Sequence, residues 1–362
     1  MKKKLTVGKL YGAYSHPWGI KYTRSNIKIR KKTIFKLPIF KNLEKNYKKY
    51  KVLEIGGTGQ DAVVWSEFGF NTTYVDLSKE NIKKTQKYKK KYNLNLKIIY
   101  GDFHKIKLKK NYYDIVRSRG VIHHMKSPDN VLKKINYCLK KNGYFHFNLY
   151  RSGIFYYFFV ELLRNISSKI NIENFYQNLL RFKISNKENL KIGNYTIKAK
   201  SDFYTIILDD LFVPILNPAN YFQIKKDLIN LNFKIIKENK IKKYFDHSLL
   251  YPDFPLKKEH IVFDVIKLND CSKNIKIKYK ISKIEAKLAN KFSYINRTIN
   301  LFNSLVKIAK FKRIYNQDFF IKLVIYLYKE LYLISVTNMS ARNKHKKFQS
   351  LVNFLLNKIK NK

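Results

Sequence analysis

In residues 51–150, short runs rich in β-branched residues alternate with stretches whose apolar residues recur at helical intervals. This alternation is the feature that most constrains the fold of the 362-residue chain. Strands are predicted over 50–55, 72–76, 96–100, 114–117 and 144–150, with helices between them. Strands that alternate with helices form a parallel sheet that is covered on both faces. The predicted fold class is therefore α/β, with a doubly wound sheet.

The first predicted strand ends in the glycine-rich turn Gly56-Gly57-Thr58-Gly59, and a helix over 61–68 follows it. This arrangement brings backbone N–H groups and a helix N-terminus to the carboxyl edge of the sheet, where open α/β sheets bind ligands. The spacing Gly57-x-Gly59-x-x-Ala62, with Asp76 nineteen residues after Gly57, also fits a dinucleotide site. On the turn alone, a nicotinamide or flavin enzyme stays open.

Side chains at the other strand ends favour a cationic ligand that carries a purine. Glu54 stands just before the turn, where a carboxylate suits a cation better than a pyrophosphate. Asp102 and Phe103 end the third strand, where a carboxylate can accept from an exocyclic amine and a ring can cover a base. The fourth strand opens into the loop 119–124 beside the same edge.

Five segments in this order resemble the class I S-adenosylmethionine-dependent methyltransferases of the small-molecule type. They read VLEIGGTGQDA, YVDLS, IIYGDF, YDIVRSRGVIHH and VLKKINYCLKKNGYFHFNLY. The resemblance covers about 50–267 and implies a Rossmann-like, mostly parallel seven-stranded sheet, completed by strands over 233–236 and 260–266. It also implies S-adenosyl-L-methionine as the cofactor.

The resemblance assigns cofactor roles to positions in all but the last of these segments. The matching residues are Glu54 of the first motif, Gly56, Gly57 and Gly59 of the turn at the methionine moiety, Asp76 at the ribose, Leu77 and Phe103 beside the adenine, Asp102 at the adenine amine, and Ser118 and Arg119 near the methionine. The family turn usually reads E/D-x-G-x-G-x-G, and here it is one residue short. Either a deletion tightens the loop, or Thr58 and Gln60 replace glycines.

The chemistry that the family implies is an in-line SN2 displacement on an electrophilic methyl group, with water kept out. A hydroxyl acceptor would also need a general base, and histidine suits neutral pH. His123 is the predicted catalytic residue, with His124 as its neighbour. Each of the two histidines has an alternative role, in which it packs against the sheet and hydrogen-bonds backbone. The histidines and two cysteines show no ligand spacing, so no metal site is predicted.

The formal net charge of +50 invites a nucleic-acid interpretation, but its distribution weakens that interpretation. Residues 1–50 and 271–362 carry +14 and +18, whereas 151–270 carry only +6. Lysine makes up 65 of the 75 basic residues, and phosphate sites tend to prefer the arginine fork. The predicted acceptor is a small molecule, lipid-type and sugar-type acceptors included. The alternatives are an RNA methyltransferase that uses the basic flanks and an inactive methyltransferase-like interaction protein.

The predicted organisation has three parts. They are a basic, irregular N-terminal segment (1–49), a methyltransferase domain (50–270) with an acceptor cap at 151–219, and a basic helical region (271–362) that could dock on an anionic surface or a partner. The longest apolar runs, 154–160 and 323–328, fall short of the roughly 20 residues of a membrane-spanning helix. With no signal peptide evident, a cytoplasmic protein is predicted.

Overall fold

The computed structural model describes the part of the chain that contains the predicted sheet and several helices outside it. The described residues are 7–13, 24–150, 160–161, 163–164, 167, 170–181, 190–192, 195–197, 200–219, 221–238, 260–270, 297, 300–301, 303–305, 307, 317–336 and 341–360. Most of the apolar run 154–160 and the predicted helical positions from Ile281 to Ile295 lie outside them. None of the helices within the described residues is long and apolar enough to cross a membrane.

A seven-stranded sheet forms the centre of the larger of two compact units, and it confirms the predicted fold class. Its strands are β1 (Lys51–Ile55), β2 (Asn71–Asp76), β3 (Leu96–Tyr100), β4 (Tyr113–Arg119), β5 (Leu139–Tyr150), β8 (Phe233–Glu238) and β9 (His260–Lys267). The order across the sheet is β3-β2-β1-β4-β5-β9-β8. Only β9 runs against its neighbours, so the sheet is mostly parallel.

The helices of this unit precede the first strand or lie between the strands along the chain. They are α1 (Val7–Ala13), α2 (Arg24–Phe35), α3 (Gln60–Glu67), α4 (Lys79–Lys91), α5 (Pro128–Cys138) and α8 (Tyr221–Asn230). Ser78 caps α4 by accepting a hydrogen bond from the Asn81 N–H, as a serine before a helix does. Pro128 begins α5, where its missing N–H costs nothing.

The N-terminal segment was predicted to be irregular, and this prediction was wrong. Helices α1 and α2 form within it. Helix α2 buries Ile27 and Ile34 against the core under α3. Pro38 begins a short 3-10 helix that ends at Lys41, and Phe40 in it stacks on Trp65 with ring centroids 5.6 Å apart. The segment thus packs on the core, and neither of its two helices contains a proline.

One buried row of ionisable side chains crosses the sheet at right angles to the strands. The strand register aligns Glu54 with Arg117, Arg117 with His146, and His146 with Asp264. Strands buried on both faces are normally apolar along their length, so these residues need partners within the protein. They have them, since Arg117 pairs with Glu54, and His146 Nδ1 lies 2.7 Å from Asp264 Oδ1. The row lies just below the carboxyl edge of the sheet.

The second compact unit comprises Ser152–Phe212, Ile241–Glu259 and Lys280–Lys362. Its described elements are α6 (Ile172–Arg181), the hairpin strands β6 (Leu190–Ile192) and β7 (Tyr195–Ile197), α7 (Lys200–Phe212), α9 (Gln317–Val336) and α10 (Ala341–Lys360). Inside this unit the Tyr328 hydroxyl donates to Asp210 at 2.5 Å, which joins α9 to α7. Residues 213–219, placed by the sequence in the acceptor cap, belong to the sheet-containing unit.

Candidate functional site

The turn after β1 bends through three glycines with left-handed backbone. Gly56, Gly57 and Gly59 have φ values of 66°, 75° and 76°, a region that side-chain-bearing residues rarely adopt. A Cβ on Gly56 would lie 2.5 Å from a methyl carbon of Val121, whereas a Cβ on Gly57 would meet no atom within 4 Å. Gly56 is therefore required by packing as well as by its backbone conformation, and Gly57 by its backbone conformation alone. Gln60 is already the first residue of α3, which supports a shortened turn.

Asp76 ends β2 beside this turn and is 8% exposed. Its carboxylate accepts from the Tyr74 hydroxyl at 2.7 Å and from the Ser78 N–H at 2.5 Å. Burial raises the pKa of Asp76 to about 6, against the lowering effect of these hydrogen bonds. Asn81 Nδ2 donates to the Gly57 carbonyl at 2.8 Å. These bonds hold the carboxylate and the glycine turn in one fixed arrangement.

The ends of β2 and β3 supply the apolar side of the site. Leu77 is 44% exposed, whereas Phe103 is 3% exposed. The Asp102 carboxylate accepts from the His104 N–H at 3.0 Å, which fixes the turn that follows β3. Lys134 Nζ donates to the Phe103 carbonyl at 2.7 Å and ties this turn to α5. Leu77, Asp102 and Phe103 thus lie at the carboxyl ends of neighbouring strands.

Glu54 is directed to partners within the protein. Its Oε1 accepts from Arg117 Nη1 at 2.9 Å and its Oε2 from Trp65 Nε1 at 3.1 Å. Burial acts to raise the pKa of Glu54, whereas the neighbouring guanidinium of Arg117 lowers it. The carboxylate that the sequence analysis assigned to the cofactor therefore has both oxygens engaged by side chains in the structure.

Asp61 and Arg30 extend this ion pair to the first turn of α3 and to α2. Asp61 Oδ2 lies 2.6 Å from Arg117 Nη1, and its Oδ1 lies 2.7 Å from Arg30 Nη1. Burial alone would raise the pKa of Asp61, but Arg117, Arg30 and Arg119 hold it well below its usual range. The cluster fixes the N-terminus of α3 on the sheet directly behind the glycine turn.

The end of β4 has one buried and one exposed residue next to each other. Ser118 is fully buried and its hydroxyl lies 3.5 Å from the Ile55 carbonyl, whereas Arg119 is exposed. The Gly120 N–H donates to the Asn148 side-chain carbonyl, which anchors the loop that follows. The structure therefore brings Ser118 and Arg119 to the same edge as Gly56 and Asp76, as their positions in the sequence predicted.

The two histidines of this loop have opposite tautomers. His123 Nδ1 accepts from the Tyr150 N–H at 3.3 Å, and since an amide N–H only donates, the proton of neutral His123 lies on Nε2. His124 Nδ1 lies 2.9 Å from the Ile215 carbonyl, and since a carbonyl only accepts, His124 carries its proton on Nδ1. The lone pair of His124 is therefore on Nε2. This difference decides which ring can accept a proton at Nε2.

Aromatic rings from three separate segments surround His124. Its ring centroid lies 4.1 Å from that of His123, 5.7 Å from Tyr150 and 6.0 Å from Tyr11 of α1. Tyr150 in turn contacts His260 of β9 with centroids 5.0 Å apart. We refer to Tyr11, His123, His124, Tyr150 and His260 as the aromatic cluster. It lies at the carboxyl ends of β4 and β5.

Three residues of this region were not predicted from the sequence. Arg117 interrupts the apolar pattern of β4, and a charge inside a buried strand was the available signal. Tyr150 was predicted as a strand residue without a role. Tyr11 had no signal, because nothing in the first residues links them to the loop that holds His124.

The residues present fit an adenosyl cofactor at the turn. The open space beside Gly57, the α3 N-terminus and the Asp76 carboxylate lie together, which is the arrangement in which α/β proteins hold a nucleoside. Leu77 and Phe103 supply apolar surface for a base. Glu54 departs from this fit, because Arg117 and Trp65 engage its carboxylate.

Comparison with known proteins gives one family. Residues 53–147 match a family model described as a methyltransferase domain, and they extend from β1 into β5. This match confirms the resemblance that the sequence motifs carry. No curated protein sequence matches the chain.

Solved structures of methyltransferases are similar to this chain at a low level. A methyltransferase solved with the Trm112 activator of Haloferax volcanii is 12% identical, with a TM-score of 0.43 over 75% of this chain and all of that one. Magnesium protoporphyrin IX methyltransferase from Synechocystis, with bound SAH, is 12% identical, with a TM-score of 0.40 over 72% and 91% of the two chains. An S-adenosylmethionine-dependent methyltransferase from Mesorhizobium loti is 11% identical, with a TM-score of 0.39 over 64% and 96%. Similarity at this level gives no information about the acceptor.

Proposed function

We propose that this chain, whose residues 53–147 form a class I S-adenosylmethionine-dependent methyltransferase domain, methylates a hydroxyl group of a small molecule. The observation that carries the proposal is the tautomer of His124, which leaves a lone pair on Nε2 within the aromatic cluster. A neutral histidine is the usual general base for a hydroxyl at neutral pH.

Cofactor binding is assigned to the residues around the glycine turn. Asp76 would accept from the ribose hydroxyls, Asp102 from the adenine amine, and Leu77 and Phe103 would contact the base. The turn glycines, with Ser118 and Arg119, would line the methionine moiety. Glu54 would act through Arg117 and α3 instead of contacting the cofactor, because its carboxylate is 3% exposed and forms a buried ion pair with Arg117.

S-adenosylmethionine supplies, when bound, a methyl group made electrophilic by its sulfonium. The protein's part is to align the acceptor, to exclude water and to take up the proton of the hydroxyl. His124 Nε2 would accept that proton while Nδ1 keeps its bond to the Ile215 carbonyl, which then stabilises the imidazolium. His123 was the candidate from the sequence, but its Nδ1 accepts from the Tyr150 N–H and its Nε2 carries the proton. The geometry therefore favours His124 over His123 as the base.

The burial of the two histidines supports a small acceptor. His123 and His124 are 0% and 6% exposed, and such burial favours a small acceptor over a macromolecule. An aromatic surrounding suits an organic molecule with an apolar body and a polar end. RNA methylation, drawing on the basic flanks, is the second candidate, and it predicts RNA binding that weakens steeply with salt.

The deciding experiment is transfer of a labelled methyl group from S-adenosylmethionine into a fractionated cell extract. We expect the label in the small-molecule fraction. Label in RNA would overturn the small-molecule assignment, and cofactor binding with no transfer into any fraction would favour an inactive interaction protein.

A pair of histidine variants tests the base. His124→Gln should lower kcat by about 10²- to 10⁴-fold, the usual contribution of a general base, with the affinity for S-adenosylhomocysteine unchanged. His123→Gln is the matched control, because glutamine can still accept from the Tyr150 N–H, and its kcat should fall much less. A larger loss in His123→Gln than in His124→Gln would reverse the assignment.

A further inference from the structure

Helix α1 packs against the backbone of Leu77, the residue that follows Asp76. A Cβ on Gly8 would lie 2.6 Å from the Leu77 carbonyl oxygen, so the helix backbone lies directly against Leu77 with no room for a side chain. Leu10, two residues further along, is 1% exposed. The helix is therefore packed onto the sheet-containing unit at the end of β2.

Tyr11, one helical turn after Gly8, contacts the loop that follows β4. The Tyr11 ring meets the His124 ring at an interplanar angle of 65°, with centroids 6.0 Å apart. Because β1 lies between β2 and β4 in the sheet, a segment that touches both Leu77 and His124 spans two strand spacings, about 10 Å. Gly8 and Tyr11 are three residues apart, about 4.5 Å along the helix axis, so the long Tyr11 side chain supplies the rest of the reach across the end of β1.

We propose that α1 closes the carboxyl edge over the glycine turn, and that Tyr11 is a specificity-determining residue of the acceptor site. This inference rests on the proposed function and extends it to a segment outside the part of the chain that matches the methyltransferase family. The Gly8 contact fixes the helix at the cofactor end. Tyr11 then forms one wall beside His124 and limits which acceptors can approach its Nε2.

The covering role is tested by hydrogen exchange in the full chain, with S-adenosylhomocysteine as the probe. Saturating probe should slow amide exchange over 7–13 by about tenfold or more, because a covered ligand holds the helix closed. The peptide 106–112, which precedes β4 at the opposite edge of the sheet, should be unaffected. Unchanged exchange over 7–13, when calorimetry shows that the probe binds, overturns the covering role. Absence of binding overturns the proposed function itself.

Variants of neighbouring positions test the Gly8 contact. Gly8→Val should raise the Kd for S-adenosylhomocysteine roughly tenfold, because its side chain collides with the Leu77 carbonyl and displaces α1. Lys9→Ala, at an exposed position of the same helix, is the matched control and should leave Kd within about twofold. Equal Kd values for the two variants, with both proteins folded by circular dichroism, would refute the contact's role.

The specificity role of Tyr11 is tested by the acceptor dependence of labelled-methyl transfer. For Tyr11→Ala, the amount of the preferred small-molecule fraction that gives half-maximal labelling should rise by about tenfold or more. The variant should also label fractions that the unchanged chain leaves unlabelled. Tyr11→Phe keeps the ring and should retain the original distribution of label. A Tyr11→Ala protein that needs the same amount of the preferred fraction and labels the same fractions as the unchanged chain contradicts the inference.

Discussion

Glu54 and Arg117 form a buried ion pair between adjacent strands, with 2.9 Å between Glu54 Oε1 and Arg117 Nη1. Arg117 also pairs with Asp61 at 2.6 Å, so one guanidinium binds a carboxylate from β1 and another from α3. The pair joins the strand before the glycine turn to the helix after it. The turn is therefore held at both of its ends by the same arginine.

Removal of Arg117 should destabilise the chain strongly. Arg117→Met leaves two buried carboxylates without their guanidinium, which typically costs about 3–5 kcal/mol. Lys140→Met is the control, because Lys140 pairs with Asp114 at 2.7 Å but has a side chain that is 39% exposed, and such pairs contribute about 1 kcal/mol or less. Chemical denaturation followed by circular dichroism measures both free energies of unfolding. Equal losses in the two variants would contradict the importance of the buried pair.

The two glycines at the start of the turn should respond differently to alanine. Gly57→Ala costs about 1–2 kcal/mol for left-handed backbone but meets no neighbour, so the chain should fold and lose affinity for S-adenosylhomocysteine, by roughly tenfold or more. Gly56→Ala adds a collision with Val121 and should cost clearly more stability. Thermal unfolding and calorimetric titration separate the two effects. Unchanged affinity in Gly57→Ala would place the cofactor elsewhere.

Cofactor affinity should fall at acidic pH because of Asp76. Burial raises the pKa of this carboxyl to about 6, so it is ionised at pH 7 and protonated by pH 5. Protonation removes acceptor capacity for the ribose hydroxyls, and affinity for S-adenosylhomocysteine should drop by up to about tenfold per pH unit below 6.

The matched variants for this prediction carry the same substitution at opposite edges of the sheet. Asp76→Asn should bind weakly at every pH and abolish the pH dependence. Asp114→Asn, at the start of β4, should keep it. A flat affinity in the unchanged chain between pH 5 and 7 would show that Asp76 does not accept from the ligand.

The helical unit should lose stability as pH falls, because of His345 in α10. Burial lowers the pKa of His345 from 6.5 to about 4, so the unfolded chain takes up a proton before the folded one. The contribution is fully present above about pH 6.5 and declines as pH falls to about 4, by about 3 kcal/mol in all. Denaturation of His345→Phe should show a correspondingly shallower decline over this range. An identical decline in both proteins would refute the assignment.

Much of the sheet could be predicted because buried strands are apolar and end in glycine, aspartate or serine. The strand at 96–100 has the predicted bounds, whereas β5 begins at Leu139 and not at 144. The residues just before 144 were predicted to belong to the helix between two strands, but in the structure Leu139 pairs with Tyr113 and Lys140 binds Asp114. Strand pairing between distant segments outweighed a local signal.

The partners within the site could not be predicted, because they depend on which distant side chains meet. Glu54 was expected to face the ligand, since no local pattern shows that Arg117 lies opposite it. Helix α1 contains two glycines in seven residues, a composition of low helical propensity. It is helical because Leu10 and Gly8 pack on the rest of its unit, which only the folded chain reveals.

The position of β9 has a consequence for synthesis on the ribosome. Tyr150 of β5 pairs with His260 of β9, so the first five strands are complete long before their sixth neighbour in the sheet exists. Until His260–Lys267 emerges, the nascent chain carries β5 with one row of N–H and C=O groups unpaired, and such an edge is a template for aggregation. The time taken to translate the stretch between Tyr150 and His260 is therefore the time for which this edge of the growing chain stays unpaired.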